Sequence, residues 1–165
     1  MRYGQIRQYD IANGRGIRVS IFVTGCTHHC PDCFNEEYQD FKAGELWTQE
    51  ETGLVIKYLK DPNVDGLTLL GGEPMQNLEL VSIIREIKEQ VDKPIWIYSG
   101  YTFEQIIADS KKLELLKEGQ VLVDGLFQKD LKDLKLKFRG SSNQRIIDIQ
   151  KSIEENRVVL WDLED

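Results

Sequence analysis

The chain has 165 residues, enough for one domain whose core needs no disulfide or metal to stabilise it, so residues 1–165 are expected to form a single domain. It has 28 acidic and 21 basic residues, a net charge of −7, and no run of Lys or Arg that could follow a phosphate backbone, which argues against nucleic-acid binding. No apolar stretch is long enough to span a membrane and residues 1–13 contain no apolar run of a signal peptide, so we expect a cytoplasmic protein that does not enter a membrane.

The first predicted element is a strand over residues 18–24, whose side chains alternate between two faces. It leads into GCTHHCPDCFN, residues 25–35, which we call the cysteine loop. This loop contains every cysteine of the chain, namely Cys26, Cys30 and Cys33. An odd number of cysteines in a reducing compartment argues against disulfides. The three thiols are therefore predicted to be metal ligands at the carboxyl end of a strand.

Helices and strands then alternate along the chain. Capping boxes predict the start of one helix at Thr48 and of another at Thr102, the second running on to Leu116. A further helix over residues 80–91 is predicted by apolar residues at helical spacing. Short apolar runs predict the remaining strands, which lie at residues 66–70, 95–99, 120–123, 145–149 and 157–161.

This alternation is typical of parallel β/α units, but the chain is far shorter than the roughly 250 residues of a closed eight-fold barrel. The predicted fold is therefore α/β, a partial open barrel of the (β/α)6 type with about six units. In such folds the loops that follow the strands gather on one face. We expect the cysteine loop, the loop 71–74 and the loop after residue 99 to form one site there.

The cysteine spacing C-x3-C-x2-C suits a 4Fe-4S cluster, in which each thiolate binds a different iron and the fourth iron has no protein ligand. The alternative is a structural zinc site, which needs four ligands and would have to recruit His28 or His29. Both histidines lie between Cys26 and Cys30, where chelating the same tetrahedral ion is strained. The spacing favours the cluster and leaves the zinc site open.

The segment Gly71-Gly72-Glu73-Pro74 follows a buried strand. Two glycines allow the backbone to approach a ligand closely, Glu73 offers a carboxylate to a cationic amino group, and Pro74 suits the first turn of a helix. The same four residues also fit a simple tight turn between a strand and a helix. Their predicted position on the same face as the thiols favours a contact with a ligand.

The three cysteines followed by GGEP resemble the signature of the radical S-adenosylmethionine enzymes. Within that family, the chain is similar over nearly its whole length to the activating enzymes of anaerobic ribonucleoside-triphosphate reductase. The matching segments are, in order, NGRGIRVSIFVTGCTHHCPDCFN, GGEP, WIYSGY, VLVDG and RGSSNQR. The resemblance implies that the partial barrel is a radical S-adenosylmethionine barrel.

The resemblance also implies two cofactors, a 4Fe-4S cluster held by Cys26, Cys30 and Cys33, and S-adenosylmethionine. In that family an electron passed through the cluster cleaves S-adenosylmethionine, and the 5'-deoxyadenosyl radical takes a hydrogen atom from a glycine of the large reductase subunit. The implied partners are that large subunit, through its glycyl-radical loop, and a low-potential electron donor such as flavodoxin. No catalytic residue is implied beyond the cluster and S-adenosylmethionine.

Contacts with S-adenosylmethionine are carried over from the family by position. They are Asp32, Cys33, Phe34, Gly71, Gly72, Glu73, Ser99 and Asp124. Many radical enzymes have an aromatic residue immediately before the third cysteine, where this chain has Asp32, with Phe34 just after that cysteine. The polar stretch 139–145 is expected to line the site or contact the partner. Its candidates are Arg139, Asn143 and Arg145, with one of the two arginines meeting a carboxylate.

Two other functions remain open at this point. One is activation of a different glycyl-radical enzyme, such as pyruvate formate-lyase. The other, from a different class, is a zinc-binding interaction module without catalysis. An iron-sulfur protein is brown and loses its colour in air, whereas a zinc protein is colourless, so colour alone separates the second alternative from the radical enzymes.

Overall fold

The structure, a computed structural model, describes residues 1–162, which form a mixed seven-stranded sheet and five α-helices. The strands are β1 (Arg2–Asp10), β2 (Arg18–Val23), β3 (Glu45–Leu46), β4 (Gly66–Gly71), β5 (Ile95–Tyr98), β6 (Val121–Asp124) and β7 (Arg145–Asp148). The helices are α1 (Gln49–Leu59), α2 (Leu80–Gln90), α3 (Phe103–Ile107), α4 (Ser110–Leu116) and α5 (Ile149–Glu155). No helix in residues 1–162 is long and apolar enough to cross a membrane. The predicted α/β class is confirmed.

The sheet has the strand order β3-β1-β2-β4-β5-β6-β7. Its four central strands, β2, β4, β5 and β6, run parallel, as expected for β/α units. At the edges, β1 pairs antiparallel with β2 and with β3, and β7 pairs antiparallel with β6. The described chain therefore has four parallel strands, fewer than the six units predicted, because antiparallel strands take the two edges of the sheet.

Strand β1 was not predicted from the sequence. It pairs with β2 with register shifts between Tyr3 and Gln5 and between Arg7 and Asp10. On its other side β3 pairs with it only at Arg2 and Tyr3. The side chains of β1 are mostly polar and partly exposed, so no apolar alternation marks the segment as a strand. Pairing with β2 holds it extended, a tertiary effect that outweighs local preference.

The two faces of the sheet are covered differently. On one face, buried apolar side chains of all five helices pack against alternate strand residues such as Ile21, Leu69 and Ile97. On the opposite face lie Phe22 and Leu70, which line the cavity described below. All six residues of β2 are consequently buried, as expected for a central strand of a parallel sheet with both faces covered.

The helix starts follow the predicted capping boxes. The Thr48 N–H donates to Glu51 Oε1 at 3.0 Å, and Thr102 makes the equivalent bond at 2.9 Å. The helix predicted to run on from Thr102 to Leu116 is, however, two helices. The Asp109 carboxylate accepts from the backbone N–H groups at the start of α4 and caps a new helix there.

The end of the chain also differs from the expectation. The predicted strand at 145–149 is present as β7. The predicted strand at 157–161 is reduced to an isolated bridge between Ile147 and Leu160. After α5, Asn156 adopts the left-handed conformation, with φ of 52°, and the chain turns back towards β7.

Candidate functional site

A cavity of about 430 Å³ opens where the parallel strands end. The loops after β2, β4 and β5 contribute Cys26, Cys30, Cys33, Gly71, Gly72, Glu73, Ser99 and Gly100 to its wall. The predicted convergence of these three loops on one face is confirmed. Phe127 and Arg139, from the segment between β6 and β7, also line the cavity.

The cysteine loop is held in a curled conformation. The Cys26 N–H donates to the Gln39 carbonyl at 2.9 Å, which fixes the start of the loop. His29 and Asp32 have φ values of 50° and 55°, in the left-handed region that allows a chain to turn sharply. The loop thereby brings three half-buried thiols to the cavity wall, none of them in a disulfide: Cys26, Cys30 and Cys33.

Burial raises the pKa of the Cys26 thiol to about 11, and the charge of Glu73 adds to the effect. Burial, followed by the nearby Cys33, also raises the pKa of Cys30. Both groups are therefore protonated at neutral pH, and their thiolates need a positive charge beside them. A bound metal group supplies that charge and displaces the protons. The chemistry of the donor set fits a metal centre.

A zinc ion would need a fourth ligand beside the three thiols, and His28 and His29 are the candidates within the cysteine loop. Both histidines make other contacts, His28 with Glu73 at 2.8 Å and His29 with Gln39 at 3.3 Å.

Glu73 is only 1% exposed, and each of its carboxylate oxygens has two donors. Oε1 accepts from His28 Nε2 at 2.8 Å and from the Gly100 N–H at 2.7 Å. Oε2 accepts from Ser99 Oγ at 2.8 Å and from the Met75 N–H at 3.0 Å. The carboxylate thus joins the cysteine loop, its own turn and the loop after β5. The Glu73 carboxylate, which was predicted to contact a cationic amino group of a ligand, therefore already has four donors within the protein.

Gly71 and Gly72 are required by contacts within the protein. Gly71 has φ of 111°, and a Cβ on Gly72 would lie 2.6 Å from the carbonyl oxygens of Gly25 and Tyr38. The Gly72 N–H also donates to the Val23 carbonyl at 2.8 Å. The predicted close approach of this backbone is therefore, in the first place, an approach to the loop after β2.

The two residues that flank the third cysteine lie in different environments. The Asp32 side chain is 61% exposed, forms an ion pair with Lys129 at 3.2 Å and does not line the cavity. Phe34 does line it, and packs edge-to-face on Phe127 with ring centroids 5.0 Å apart. Lys132 Nζ lies 5.1 Å from the centroid of the Phe34 ring. Of the two, only Phe34 is on the wall.

Asp124 and Arg145 bind each other beside a second depression and do not line the main cavity. The Asp124 carboxylate accepts from Arg145 Nη2 at 2.6 Å and from the Phe103 N–H at 2.7 Å. The guanidinium of Arg145 also pairs with Glu104 at 2.7 Å. Hydrogen bonds to these two carboxylates raise the pKa of Arg145 above its usual value. The geometry gives Asp124 a structural contact, since its oxygens already have charged or backbone donors.

The polar stretch 139–145 is divided in the same way. Arg139 lines the main cavity, together with Gly140 and Gln144. Asn143 faces the depression instead, and its amide donates to the Leu126 carbonyl at 2.8 Å. The structure therefore brings only part of the predicted polar group to the wall.

Sequence reasoning missed two contributors to the site. Phe127, which packs on Phe34, lies in a segment without regular periodicity, so no pattern indicated its position. From the sequence, His28 was a candidate zinc ligand, whereas in the structure its ring packs edge-to-face on Tyr101 at 4.6 Å while it contacts Glu73. The available signal was that His28 lies two residues after Cys26 in the sequence, but this spacing does not show where the side chain points.

Residues 12–147 match a protein family described as a 4Fe-4S single cluster domain. The chain is 38% identical over 152 residues to the anaerobic ribonucleoside-triphosphate reductase-activating protein of Pasteurella multocida. The alignment covers 88% of this chain and 96% of that protein. It is 40% identical over 150 residues to the protein of the same name from Enterobacteria phage T4, with coverage of 88% and 93%. The protein of that name from Escherichia coli K12 is 35% identical over 150 residues, with coverage of 87% and 96%.

A cavity wall with three cysteines and the match over residues 12–147 define the class, that of proteins with a 4Fe-4S single cluster domain. Within that class the relatives share one name and match most of the chain. The chain belongs to the family of anaerobic ribonucleoside-triphosphate reductase-activating proteins. The resemblance inferred from the motifs is confirmed.

Proposed function

We propose that this protein activates anaerobic ribonucleoside-triphosphate reductase by generating its glycyl radical, through reductive cleavage of S-adenosylmethionine at a 4Fe-4S cluster. The observation that carries the proposal is a single cavity wall that holds three thiols and the GGE turn, in a chain whose relatives are named as activating proteins of that reductase. Activation of pyruvate formate-lyase and a purely structural zinc site are the outcomes that the experiments below test against it.

In this proposal Cys26, Cys30 and Cys33 hold the cluster, and the fourth iron is left to S-adenosylmethionine. The three thiols on one wall of the cavity, none of them in a disulfide, support it, because cysteine thiolates are the usual ligands of iron-sulfur clusters. A cluster held there would pass one electron from a low-potential donor to S-adenosylmethionine, which would give methionine and the 5'-deoxyadenosyl radical that takes a hydrogen atom from a glycine of the reductase.

S-adenosylmethionine is proposed to occupy the cavity, whose volume of about 430 Å³ is in the usual range for small-molecule sites. The backbone of the turn 71–73 and the side chains of Phe34 and Ser99 are the proposed contacts. Glu73 acts by fixing the loops that form the wall. For Asp32 and Asp124 we propose structural roles, because one is largely exposed and the other is occupied by Arg145.

We infer that the sheet is the partial barrel of a radical S-adenosylmethionine enzyme and that the chain is one domain. The arrangement that supports this has helices on one face and the cavity on the other. A radical must form close to its target and away from water. The partner is therefore proposed to cover the cavity, with its glycine loop inserted and the cysteine loop and stretch 139–145 at the rim. A low-potential donor such as flavodoxin would reduce the cluster in the cytoplasm.

The test uses the full chain reconstituted anaerobically with iron and sulfide. Iron and sulfide content, S-adenosylmethionine cleavage and a glycyl-radical signal in electron paramagnetic resonance are measured, the last with either this reductase or pyruvate formate-lyase. The proposal expects cleavage, and a radical signal with the reductase only. A signal with the lyase alone would make the partner wrong, and a colourless protein that binds one zinc would make the chemistry wrong.

Cysteine variants provide the matching control. Cys26→Ala, Cys30→Ala and Cys33→Ala should each lose the intact cluster and the cleavage activity while circular dichroism shows that the fold is retained. The reason is that the buried core is formed by apolar side chains away from the thiols. A variant with a full cluster and full cleavage would exclude that cysteine from the ligands.

A further inference from the structure

An exposed segment rich in lysine follows β6. Residues 129–137 read KDLKDLKLK, with four lysines and two aspartates, in a chain whose net charge is −7. We call these residues the lysine segment. Its four lysines are all exposed, and Leu131, which is 40% exposed, lies among them: Lys129, Lys132, Lys135 and Lys137. The lysine segment is therefore a basic surface with an apolar contribution on an otherwise acidic protein.

The lysine segment lies beside the end of the cysteine loop. Lys129 forms an ion pair with Asp32 at 3.2 Å, and Lys132 Nζ lies 5.1 Å from the centroid of the Phe34 ring. Asp32 and Phe34 are the residues before and after Cys33 in the sequence. A protein bound to the lysine segment would therefore be next to one of the three thiols.

The backbone of the lysine segment is held against the stretch 139–145. The Asp133 N–H donates to the Gly140 carbonyl at 3.2 Å, and the Ser142 N–H donates to the Leu131 carbonyl at 2.9 Å. A surface that is already ordered loses less conformational entropy when a partner binds to it.

The lysines lie outside the wall of the cavity. Asp133, Leu134 and Leu136 of the same segment line the cavity, whereas none of the four lysines does. Lys135 and Lys137 form no ion pair with any of residues 1–162, so no acidic side chain of that part of the chain neutralises them. The segment thus forms part of the cavity rim and presents its positive charge away from the cavity.

We propose that the lysine segment binds the low-potential electron donor, a protein with an acidic surface around its redox group. This inference rests on the proposed function, in which such a donor reduces a cluster held by the three cysteines. In this step the donor loses one electron and the cluster gains it, and no bond is made or broken. Electron transfer between proteins slows steeply with distance, so the donor has to dock close to a ligand of the cluster.

The position of the lysines favours the donor over the reductase as their partner. The reductase is proposed to cover the cavity, and the radical has to form in the covered site, so the electron has to enter from outside the cavity. The lysines are outside the cavity wall and beside the neighbours of Cys33. A small charged surface also suits a partner that binds and leaves quickly, as electron-transfer interfaces are at the small end of the size range.

The experiment reverses two charges of the lysine segment in the full, cluster-loaded chain, as the double variant Lys135→Glu/Lys137→Glu. The matched control is Lys57→Glu/Lys60→Glu, which changes the net charge equally at two exposed positions of α1 and its end, on the helix-covered face of the sheet. The probe is flavodoxin. Circular dichroism and iron content show that each variant is folded and loaded.

Two measurements follow the donor. Anaerobic stopped-flow absorbance gives the second-order rate constant for reduction of the cluster by reduced flavodoxin at a series of salt concentrations. Calorimetry gives the affinity of the same proteins for oxidised flavodoxin, which binds without reacting. Photoreduced 5-deazariboflavin, a small uncharged reductant, serves as the reference because it needs no docking surface.

We expect flavodoxin to reduce Lys135→Glu/Lys137→Glu about 10- to 100-fold more slowly than the parent at low salt, within the range of electrostatic steering. The rate of the parent should fall towards that of the variant as salt screens the exposed charges. The affinity for oxidised flavodoxin should weaken in parallel. The rate with deazariboflavin should be unchanged, and the control should remain within about twofold of the parent with either reductant.

The proposal is wrong if flavodoxin reduces the variant at the rate of the parent, if the control is slowed as much, or if flavodoxin does not reduce the parent although deazariboflavin does. Equal slowing with deazariboflavin would show that the substitutions act on the cluster and not on docking. Unchanged reduction with weaker binding to the large reductase subunit would assign the lysines to that subunit.

Failure of the proposed function is visible in the parent alone, which would then bind no cluster or would not cleave S-adenosylmethionine after reduction. Should the reversed variant not fold, Lys135→Gln/Lys137→Gln replaces it. This neutral pair should be reduced by flavodoxin more slowly than the parent but faster than expected for the reversed pair, and the rate of the parent would count against the proposal.

Discussion

Glu73 and Asp124 are two buried carboxylates, each 1% exposed and each at the end of a parallel strand, yet they are held in different ways. Glu73 accepts from His28, Ser99 and two backbone N–H groups, all from the loops that form the cavity wall. Asp124 accepts from the guanidinium of Arg145 and from the first N–H of α3.

The difference shows that a carboxylate at a strand end does not by itself mark a ligand contact. Glu73 holds the loops of the site together without a Lys or Arg partner. Because one of its donors is His28, a change at Glu73 also affects the cysteine loop. Asp124 fixes the start of β7 and of α3, beside the cavity wall. Four substitutions separate the two roles, in order of decreasing effect.

Glu73→Gln should have the largest effect. An amide cannot accept four hydrogen bonds, so its NH₂ group would face two buried donors and leave them unpaired. We expect a loss of about 3 to 5 kcal/mol in the free energy of unfolding, with a fall in the iron bound per chain. Denaturant unfolding and iron analysis measure both. A loss below 1 kcal/mol with full iron content would show that the four contacts do not hold the site together.

Asp124→Asn should destabilise the fold by about 2 to 3 kcal/mol, since Arg145 loses its buried partner but keeps Glu104. Cluster content and S-adenosylmethionine affinity should stay at the parent level, because Asp124 does not line the cavity. The comparison would break if this variant unfolded like the parent yet bound S-adenosylmethionine at least tenfold more weakly. Asp124 would then be a ligand contact.

His28→Ala removes one of the four donors to Glu73 and should cost about 1 to 2 kcal/mol. Loss of the cluster to a chelator should also become faster, because the middle of the cysteine loop is no longer tied to the turn 71–73. His28→Gln, whose amide can still donate to Glu73, is the matched control and should recover most of both properties. If the parent and His28→Ala lose the cluster to the chelator at the same rate, His28 does not position the cysteine loop.

Glu104→Gln should have the smallest effect, about 0.5 kcal/mol or less, because the Glu104 side chain is 57% exposed. The bond from Arg145 lowers the pKa of Glu104 from its usual 4.5. A lowered pKa gives stability that is present above about pH 4.5 and is lost as the pH falls through the folded-state value. The stability difference between parent and variant should therefore be seen at pH 7 and shrink in acid. A difference independent of pH would contradict the assigned ion pair.

Local signals predicted the centre of the molecule well. The apolar runs at β4, β5 and β6, the two capping boxes and the loops at the strand ends follow from spacing and propensity alone. The convergence of the cysteines with Gly72 and Ser99 needed only the rule that parallel strands end on the same face. The elements themselves, as distinct from their convergence, share one property, since each is encoded within about a dozen consecutive residues.

The features that were not predicted depend on contacts between distant residues. Strand β1 is extended because β2 lies beside it. Arg18, the first residue of β2, is 2% exposed and donates to the carbonyls of Leu67 in β4 and of Pro94 just before β5, and burial lowers its pKa to about 10. The saturated oxygens of Glu73 are likewise invisible until their neighbours are placed.

The register shifts of β1 have a consequence for how the sheet ends. An edge strand presents unpaired backbone groups and can template aggregation with other chains. β3 covers β1 only at Arg2 and Tyr3, so most of its outer edge lies beyond that pairing. The irregularities after Tyr3 and after Arg7 interrupt the regular spacing of those groups, and the charged Arg7 lies between them. This edge is therefore a poor template for pairing with the sheet of another chain.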